Sequence, residues 1–395
     1  MQKSLKESLQ SLKTYCESEN FIGWDPYDGL NSKVFQATPL KISRLARLIW
    51  IQAFKKSPVN FRSLMLVPKE LNPKAAGLFL NGYCNIYRYQ QVAGSEEIGI
   101  QKEILDRIHY LVNMLRSSKT AGFNGYCWGY NFDWQARAFF MPKNTPTIVA
   151  TAFISSALLD AYEITGEKDL LEIVNSSCEF IIRDLNRTYD DNGNFAFSYS
   201  PIDASVVYNA SFLGSRLLAR VYSITRNNEL LDAAERSVIF CCDHQNSDGS
   251  WSYGSNGFHS WIDNFHTGYN LESLSDYMKY SGDYRFNENL RKGFDYYITT
   301  FFTESGVSKY FNNSLYPVDI HNPAQLIITL SRLDRFEEYK DLADKVLKWT
   351  IENMQSEIGY FYFQKGKFFT LRTPYIRWAQ AWMFYALSEY LLKMI

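Results

Sequence analysis

Apolar positions along this chain fall into two kinds of segment. One kind is apolar or small almost all round, as over residues 75–89, 147–165, 204–225, 265–280, 323–333 and 375–392. The other carries a single apolar stripe at helical spacing on a charged background, as over 167–185, 229–244 and 287–302. Helices apolar all round are buried, and helices with one apolar stripe lie outside them. The pattern therefore predicts inner and outer helices in alternation. Short loops of a glycine followed by aromatics join them: Gly125-Tyr126-Cys127-Trp128, Gly193-Asn194-Phe195, Gly249-Ser250-Trp251, Gly306-Val307-Ser308 and Gly359-Tyr360-Phe361. These units recur roughly 50–70 residues apart, the mark of a repeat architecture. An earlier instance, Gly23-Trp24-Asp25-Pro26-Tyr27-Asp28-Gly29, precedes the next by roughly 45 residues more than that spacing. The surplus predicts a helical insertion at 31–72, with its helix over 39–56.

Six such pairs, with an amphipathic first segment (1–20) and an apolar last one (376–395), predict a ring that closes on itself. The fold class is all-α: an (α/α)6 toroid, one domain over 1–395, with short β-like aromatic loops at one end. An open helical-repeat solenoid is the alternative.

Composition narrows the function. Of 395 residues, 46 % are apolar, so a large core can form. Lys and Arg total 41 against 42 acidic residues, which leaves no basic excess to hold a nucleic acid. Aromatic residues make up 16 %, which suits an amphipathic ligand. The start of the chain has no apolar core of a signal peptide, and no apolar run is long enough to span a membrane. The cysteines form no C-x-x-C pair and read as reduced, so a cytoplasmic location is expected. Neither a metal-ligand spacing nor a nucleotide-cofactor motif is present, and no cofactor is expected.

The alternating order puts every aromatic loop at the same end of the ring, together with the N-termini of the inner helices. Polar residues there are expected to meet in one cleft: Asp203, Asp263, His266, Asp319, His321, Arg372 and Arg377, joined by Trp24, Asp25, Asp28, Trp128, Asp133, Trp134, Trp251, Trp261, Tyr316, Tyr375 and, beside Arg377, Trp378. Aromatic faces beside hydrogen-bonding groups suit a sugar, although some of these rings are expected only to brace loops. Helical spacing sets Asp263, His266 and Asn270 on one face, and an imidazole beside a carboxylate suits proton transfer near neutral pH. Asp319-Ile320-His321 repeats the arrangement on the next inner helix, about 10 Å away. His266 and His321 are therefore the expected proton donor and acceptor. The other histidines read differently: His109 and His244 as structural, His259 as an open candidate on a loop. The competing constellation is paired carboxylates for glycoside hydrolysis, drawn from Asp25, Asp28, Asp133 and Asp203.

The repeat pattern over nearly the whole chain resembles the six-hairpin glycosidase-like superfamily. His266-Thr267-Gly268-Tyr269-Asn270-Leu271-Glu272 resembles the His-x-Gly-x-x-x-Glu segment of the N-acylglucosamine 2-epimerase family. That resemblance implies His266 as one of two catalytic histidines and Glu272 as a partner of the substrate ring or of a histidine. The chain departs from that family in having no histidine after His321; its last inner helix offers Arg372, Tyr375, Arg377 and Trp378 instead. Trp24-Asp25-Pro26-Tyr27-Asp28-Gly29-Leu30, Phe265-His266-Thr267-Gly268-Tyr269 and Arg377-Trp378-Ala379-Gln380-Ala381-Trp382 resemble proteins of bacterial capsule and exopolysaccharide gene clusters. That likeness implies a setting in surface-polysaccharide synthesis. Gln245 to Trp251 is similar to one Q-W element of terpenoid cyclases and, with no D-x-D-D motif present, reads as a loop brace.

The expectation is thus a sugar- or oligosaccharide-binding protein with no nucleic-acid partner. Acid–base chemistry of the epimerase or isomerase type comes first, by His266, His321, Asp263, Glu272 and Asp203. Glycoside hydrolysis or elimination by paired Asp residues comes second, and glycan binding without turnover third.

Overall fold

The computed structural model describes residues 4–93, 98–136 and 139–394; residues 1–3 and 395, at the ends of the first and last predicted segments, lie outside it. In chain order the described α-helices are α1 (Leu5–Ser18), α2 (Lys33–Gln36), α3 (Arg44–Lys56), α4 (Pro73–Ala93), α5 (Ile98–Ser117), α6 (Ile148–Thr165) and α7 (Lys168–Asp184). They continue as α8 (Tyr208–Thr225), α9 (Asn228–Asp243), α10 (Asn264–Ser281), α11 (Asn287–Phe301), α12 (His321–Arg332), α13 (Lys340–Met354) and α14 (Trp382–Leu392).

The inner helices are α4, α6, α8, α10, α12 and α14. Each packs on the next, and α14 packs back on α4, which closes the cycle. The outer helices α5, α7, α9, α11 and α13 each cover the inner helix before or after them in the chain, and α1 covers α14. The fold is therefore the closed (α/α)6 ring, not the open solenoid. Burial follows the sequence pattern. Ile148–Ala161 of α6 is buried on all sides, whereas α7 buries one face through Leu170, Ile173, Val174, Ser177, Cys178 and Ile181. By length and composition α6 could cross a membrane, but here it is a core helix of the ring.

The recurring loop glycines have a steric reason. Gly249 has φ +91°, and a Cβ there would lie 2.4 Å from the carbonyl oxygen of Lys292 on α11. Gly359 has φ +106°, and its Cβ would lie 2.3 Å from the carbonyl oxygen of Ser11 on α1. Only glycine permits both the left-handed backbone and that approach. In each case the loop docks on the next outer helix, and at Gly359 the next outer helix is the first one.

Two helix starts depart from the pattern. The α8 helix begins at Tyr208, not 204, because Asp203 is taken up in a turn with Ser200 and Ser205. The last inner helix opens with a π-helical stretch, Ile376–Ala381, carrying Arg377 and Trp378. A widened turn of this kind rotates side chains relative to an α-helix and is frequent at functional sites. Gln380 fixes it by exchanging hydrogen bonds with the Phe361 backbone, 2.8 Å each way.

The loops carry short antiparallel ladders. The strands are β1 (Trp134–Gln135), β2 (Phe140–Met141), β3 (Arg187–Tyr189), β4 (Phe195–Phe197), β5 (Val318–Asp319), β6 (Gln364–Lys365) and β7 (Thr370–Leu371). They pair as β1–β2, β3–β4 and β5–β6–β7. Between Asn31 and Asn72, helix α3 lies over this loop end. Trp50 Nε1 donates to the Gly29 carbonyl at 3.0 Å, and Arg47 grips Gln135 Oε1 through Nε and Nη2 at 2.9 and 2.7 Å.

Candidate active site

A cavity of about 970 Å³ opens at the loop end of the ring. Its walls are aromatic: Trp134, Tyr199, Tyr253, Trp261, Phe265 and Trp378 all face it. Helix α3 forms the remaining wall through Leu48, Ile49, Gln52 and Lys55. The floor continues into a smaller cavity of about 110 Å³. That floor is lined from every inner-helix start: Lys74, Val149, Asn209, His266, His321 and Arg377. It therefore lies on the axis of the ring.

Two imidazoles line the cavity, His259 on its loop and His266 on α10, and Asp263 holds the second. Asp263 is the N-cap of α10; its Oδ1 accepts the His266 backbone N–H at 3.0 Å. Its Oδ2 lies 2.7 Å from His266 Nδ1 and also accepts Trp261 Nε1 at 3.2 Å. The cap therefore fixes both backbone and side chain. With Nδ1–H bound to the carboxylate, Nε2 is left as the proton acceptor. The His266 side chain is 22 % exposed, in a helix start whose neighbours Phe265 and Thr267 are buried.

His321 is not the equivalent of His266. It is 1 % exposed, stacked on Phe265 at 4.3 Å, and its Nε2 shares a 2.7 Å hydrogen bond with the Tyr269 hydroxyl. Burial, with Lys74, His266 and Arg377 nearby, pushes its pKa well below the usual imidazole value and holds it neutral. Tyr269 stands between the two rings, its own ring 5.7 Å from His266. His266 and His321 thus both line the axial floor cavity, but His266 also faces the main cavity, whereas His321 reaches only the floor and is tied to a phenol.

None of the carboxylates expected to pair lines either cavity. Asp25 is clamped by Arg377 Nε and Nη2 at 2.6 and 2.9 Å, and Asp28 is bound by Arg62 Nε at 2.7 Å. Both are buried, and burial lifts the Asp28 pKa to about 6. They knit the Trp24–Gly29 loop to Arg377 at the start of the last inner helix and to Arg62. Asp133 accepts the Lys143 N–H at 2.7 Å, and Asp203 spends both oxygens on Ser200 and Ser205. Glu272 lies six residues along α10 from His266, about 9 Å deeper. There it accepts Gln325 and Thr329 side chains beside Arg216 and touches neither His266 nor the cavity. Among the described residues, Asp263 is the one carboxylate lining either cavity.

The expected stacking platforms divide. Trp378 lines both cavities, held by its Nε1–H to Asp319 Oδ1 at 2.9 Å. Asp319 is fully buried behind it and also accepts Gln364 Nε2 at 2.6 Å and the His321 backbone N–H at 2.9 Å. It positions a platform rather than touching a ligand, and burial raises its pKa to about 6. Trp128 and Trp251 are sealed in the core; their Nε1 atoms donate to the carbonyls of Leu115 at 2.8 Å and Cys241 at 2.9 Å. Trp24 braces the Val67 carbonyl at 3.0 Å, Tyr375 is buried beneath Arg62, and Arg372 is exposed beside Tyr362. None of these five faces the cavity. Gln245 does brace its loop, through Gly249 at 2.8 Å.

Lys74, Tyr253, Tyr269 and Tyr310 were not legible as site residues. Tyr253 and Tyr310 each stand four residues after a loop glycine, a signal the repeat itself carries. Lys74 had no motif around it.

Sequence comparison finds no matching family and no matching curated protein. Solved structures share the fold. Cellobiose 2-epimerase from Bacillus thermoamylovorans is 11 % identical with a TM-score of 0.62, covering 83 % of this chain and 90 % of its own. Unsaturated glucuronyl hydrolase from Bacillus sp. GL1 is 11 % identical with a TM-score of 0.61, covering 99 % and 96 %. A D-mannose isomerase is 13 % identical with a TM-score of 0.60, covering 82 % and 87 %. The chain shares the (α/α)6 fold of these structures, which are named as an epimerase, a hydrolase and an isomerase of sugars.

Proposed function

We propose that this protein catalyses proton transfer at a carbon of a sugar, as an epimerase or isomerase does, with His266 as the acid–base group. The observation that carries the proposal is the Asp263–His266 pair in the wall of an aromatic cavity. The carboxylate holds Nδ1–H, so Nε2 can take a proton from a carbon next to a carbonyl and return it as imidazolium. Trp378, Tyr253 and Trp261 offer faces for the C–H side of a sugar ring. Arg377, held by Asp25, places a cation at the floor near developing negative charge. His321 acts through Tyr269, as a neutral acceptor for its hydroxyl. Two-carboxylate hydrolysis finds no second carboxylate beside Asp263 among the described lining residues. Neighbours named for cellobiose epimerisation and mannose isomerisation support the same class.

The biological setting we propose is surface-polysaccharide synthesis in the cytoplasm. Six free, buried cysteines are consistent with a reducing compartment. The test is a panel of free sugars and capsule oligosaccharides incubated with the protein in D2O and followed by NMR. Solvent deuterium entering one carbon position supports the proposal. New reducing ends without deuterium mean hydrolysis and overturn it, and binding without either change means a glycan-binding protein.

A further inference from the structure

At the floor of the site stands an amine that the proton-transfer scheme does not use. Lys74 lies in the first turn of α4, is 3 % exposed and lines the axial cavity. Its Nζ sits over the faces of Phe153, Trp382 and Tyr269 at 4.1, 5.3 and 5.4 Å. Among the described residues no carboxylate forms an ion pair with it, and Asp25, which favours its charge from behind Arg377, is bound to that guanidinium. The nearest charged side chain on the floor is Arg377, whose charge is already met by Asp25. The wall adds Lys55 and Lys56, against Asp263 alone. Asp263 is committed to His266. A buried ammonium without a counter-ion is costly, and ring faces compensate only part of that cost. Burial first, and then the Arg377 charge, push the Lys74 pKa well below the usual lysine value. What the floor lacks is a negative charge, and it lacks it where a ligand's end would rest.

We infer that the sugar taken by this site carries an anionic substituent, a carboxylate or a phosphate, which pairs with Lys74 on the ring axis. The inference rests on the reading of the cavity as a sugar site and names the class of sugar. The anion brings the missing counter-charge, so the amine takes up a proton from solvent as the ligand binds. Arg377 and the three ring faces then hold the resulting ion pair out of water, where it is stronger than at a surface.

Isothermal titration calorimetry at about pH 8, above the usual histidine range, tests this with glucose, glucuronate and glucose 6-phosphate. Each is titrated in two buffers of different ionisation enthalpy, Tris and HEPES. One of the two anionic sugars is expected to bind at least about tenfold more tightly than glucose, with net proton uptake on binding. Which of them does so separates carboxylate from phosphate. In Lys74→Met the preference should shrink to within roughly threefold and the proton uptake should vanish. Equal binding of all three sugars to the unaltered protein overturns the inference, as does a preference that survives Lys74→Met. The unaltered protein alone decides the first point, so a poorly folding variant does not rescue the idea. Equal binding of all three sugars leaves the sugar site standing without its anion. Failure of every sugar on the wider panel to bind or to exchange deuterium overturns the site itself.

Discussion

The carboxylate of Asp263 lies 2.7 Å from Nδ1 of His266 while its other oxygen caps the helix that carries the histidine. One side chain thus sets the backbone, the ring orientation and the tautomer of the residue three positions on. Asp263→Asn separates these roles. Asparagine caps a helix as well as aspartate, but its amide donates to Nδ1 and moves the proton to Nε2. Turnover should fall on the order of 10²–10⁴, with KM and melting temperature nearly unchanged. Steady-state kinetics with thermal denaturation checks this, and an equal loss in Asp263→Ala and Asp263→Asn with lowered stability in both would reduce the residue to a cap.

The tryptophans should sort by where they stand. Trp261, 36 % exposed and stacked on Tyr253 at 4.6 Å, should on replacement by alanine lose roughly fivefold in sugar affinity, about 1 kcal/mol of stacking, with little change in stability. Trp128→Ala and Trp251→Ala should instead cost about 3–5 kcal/mol of stability through the cavities they leave. Titration calorimetry and denaturant unfolding on the three variants distinguish the two behaviours.

Glu272 gives the fold a pH dependence of its own. Burial lifts its pKa to about 7, above the usual glutamate value, against the partial opposition of Arg216 and Thr329. The native state therefore binds a proton that the unfolded chain releases between about pH 4.5 and 7. Its contribution to stability is fully present below that window and is lost as pH rises through it. Relative to Glu272→Gln, the unaltered protein should lose stability on the order of 1–3 kcal/mol from pH 5 to pH 8. Urea unfolding of both proteins across that range measures the difference.

Much of this architecture was legible in the chain, because burial on all sides and burial on one stripe leave different residue patterns, as α6 and α7 show. The loop glycines were legible too, since Gly249 and Gly359 answer a backbone approach that recurs with the repeat. The Asp263–His266 pair could be read because helical spacing fixes residues three apart. Asp25, Asp28 and Asp203 could not be placed, since a loop carboxylate's partner is set by tertiary contact. Arg377 reaches Asp25 from 352 positions away. Trp128 and Trp251 share a residue type with Trp261, and only packing tells a brace from a platform. Lys74 was silent for a further reason: its surroundings come from α6, α10 and α14, none adjacent to it in sequence.

In the proposed reaction His266 moves a proton at a sugar carbon. Deuterium incorporation from D2O into a sugar that the unaltered protein labels, followed by NMR beside His266→Asn, tests it most directly. The variant should still bind the sugar, by calorimetry, while its exchange rate falls on the order of 10²–10⁴. Undiminished exchange in a folded, sugar-binding His266→Asn would contradict the account.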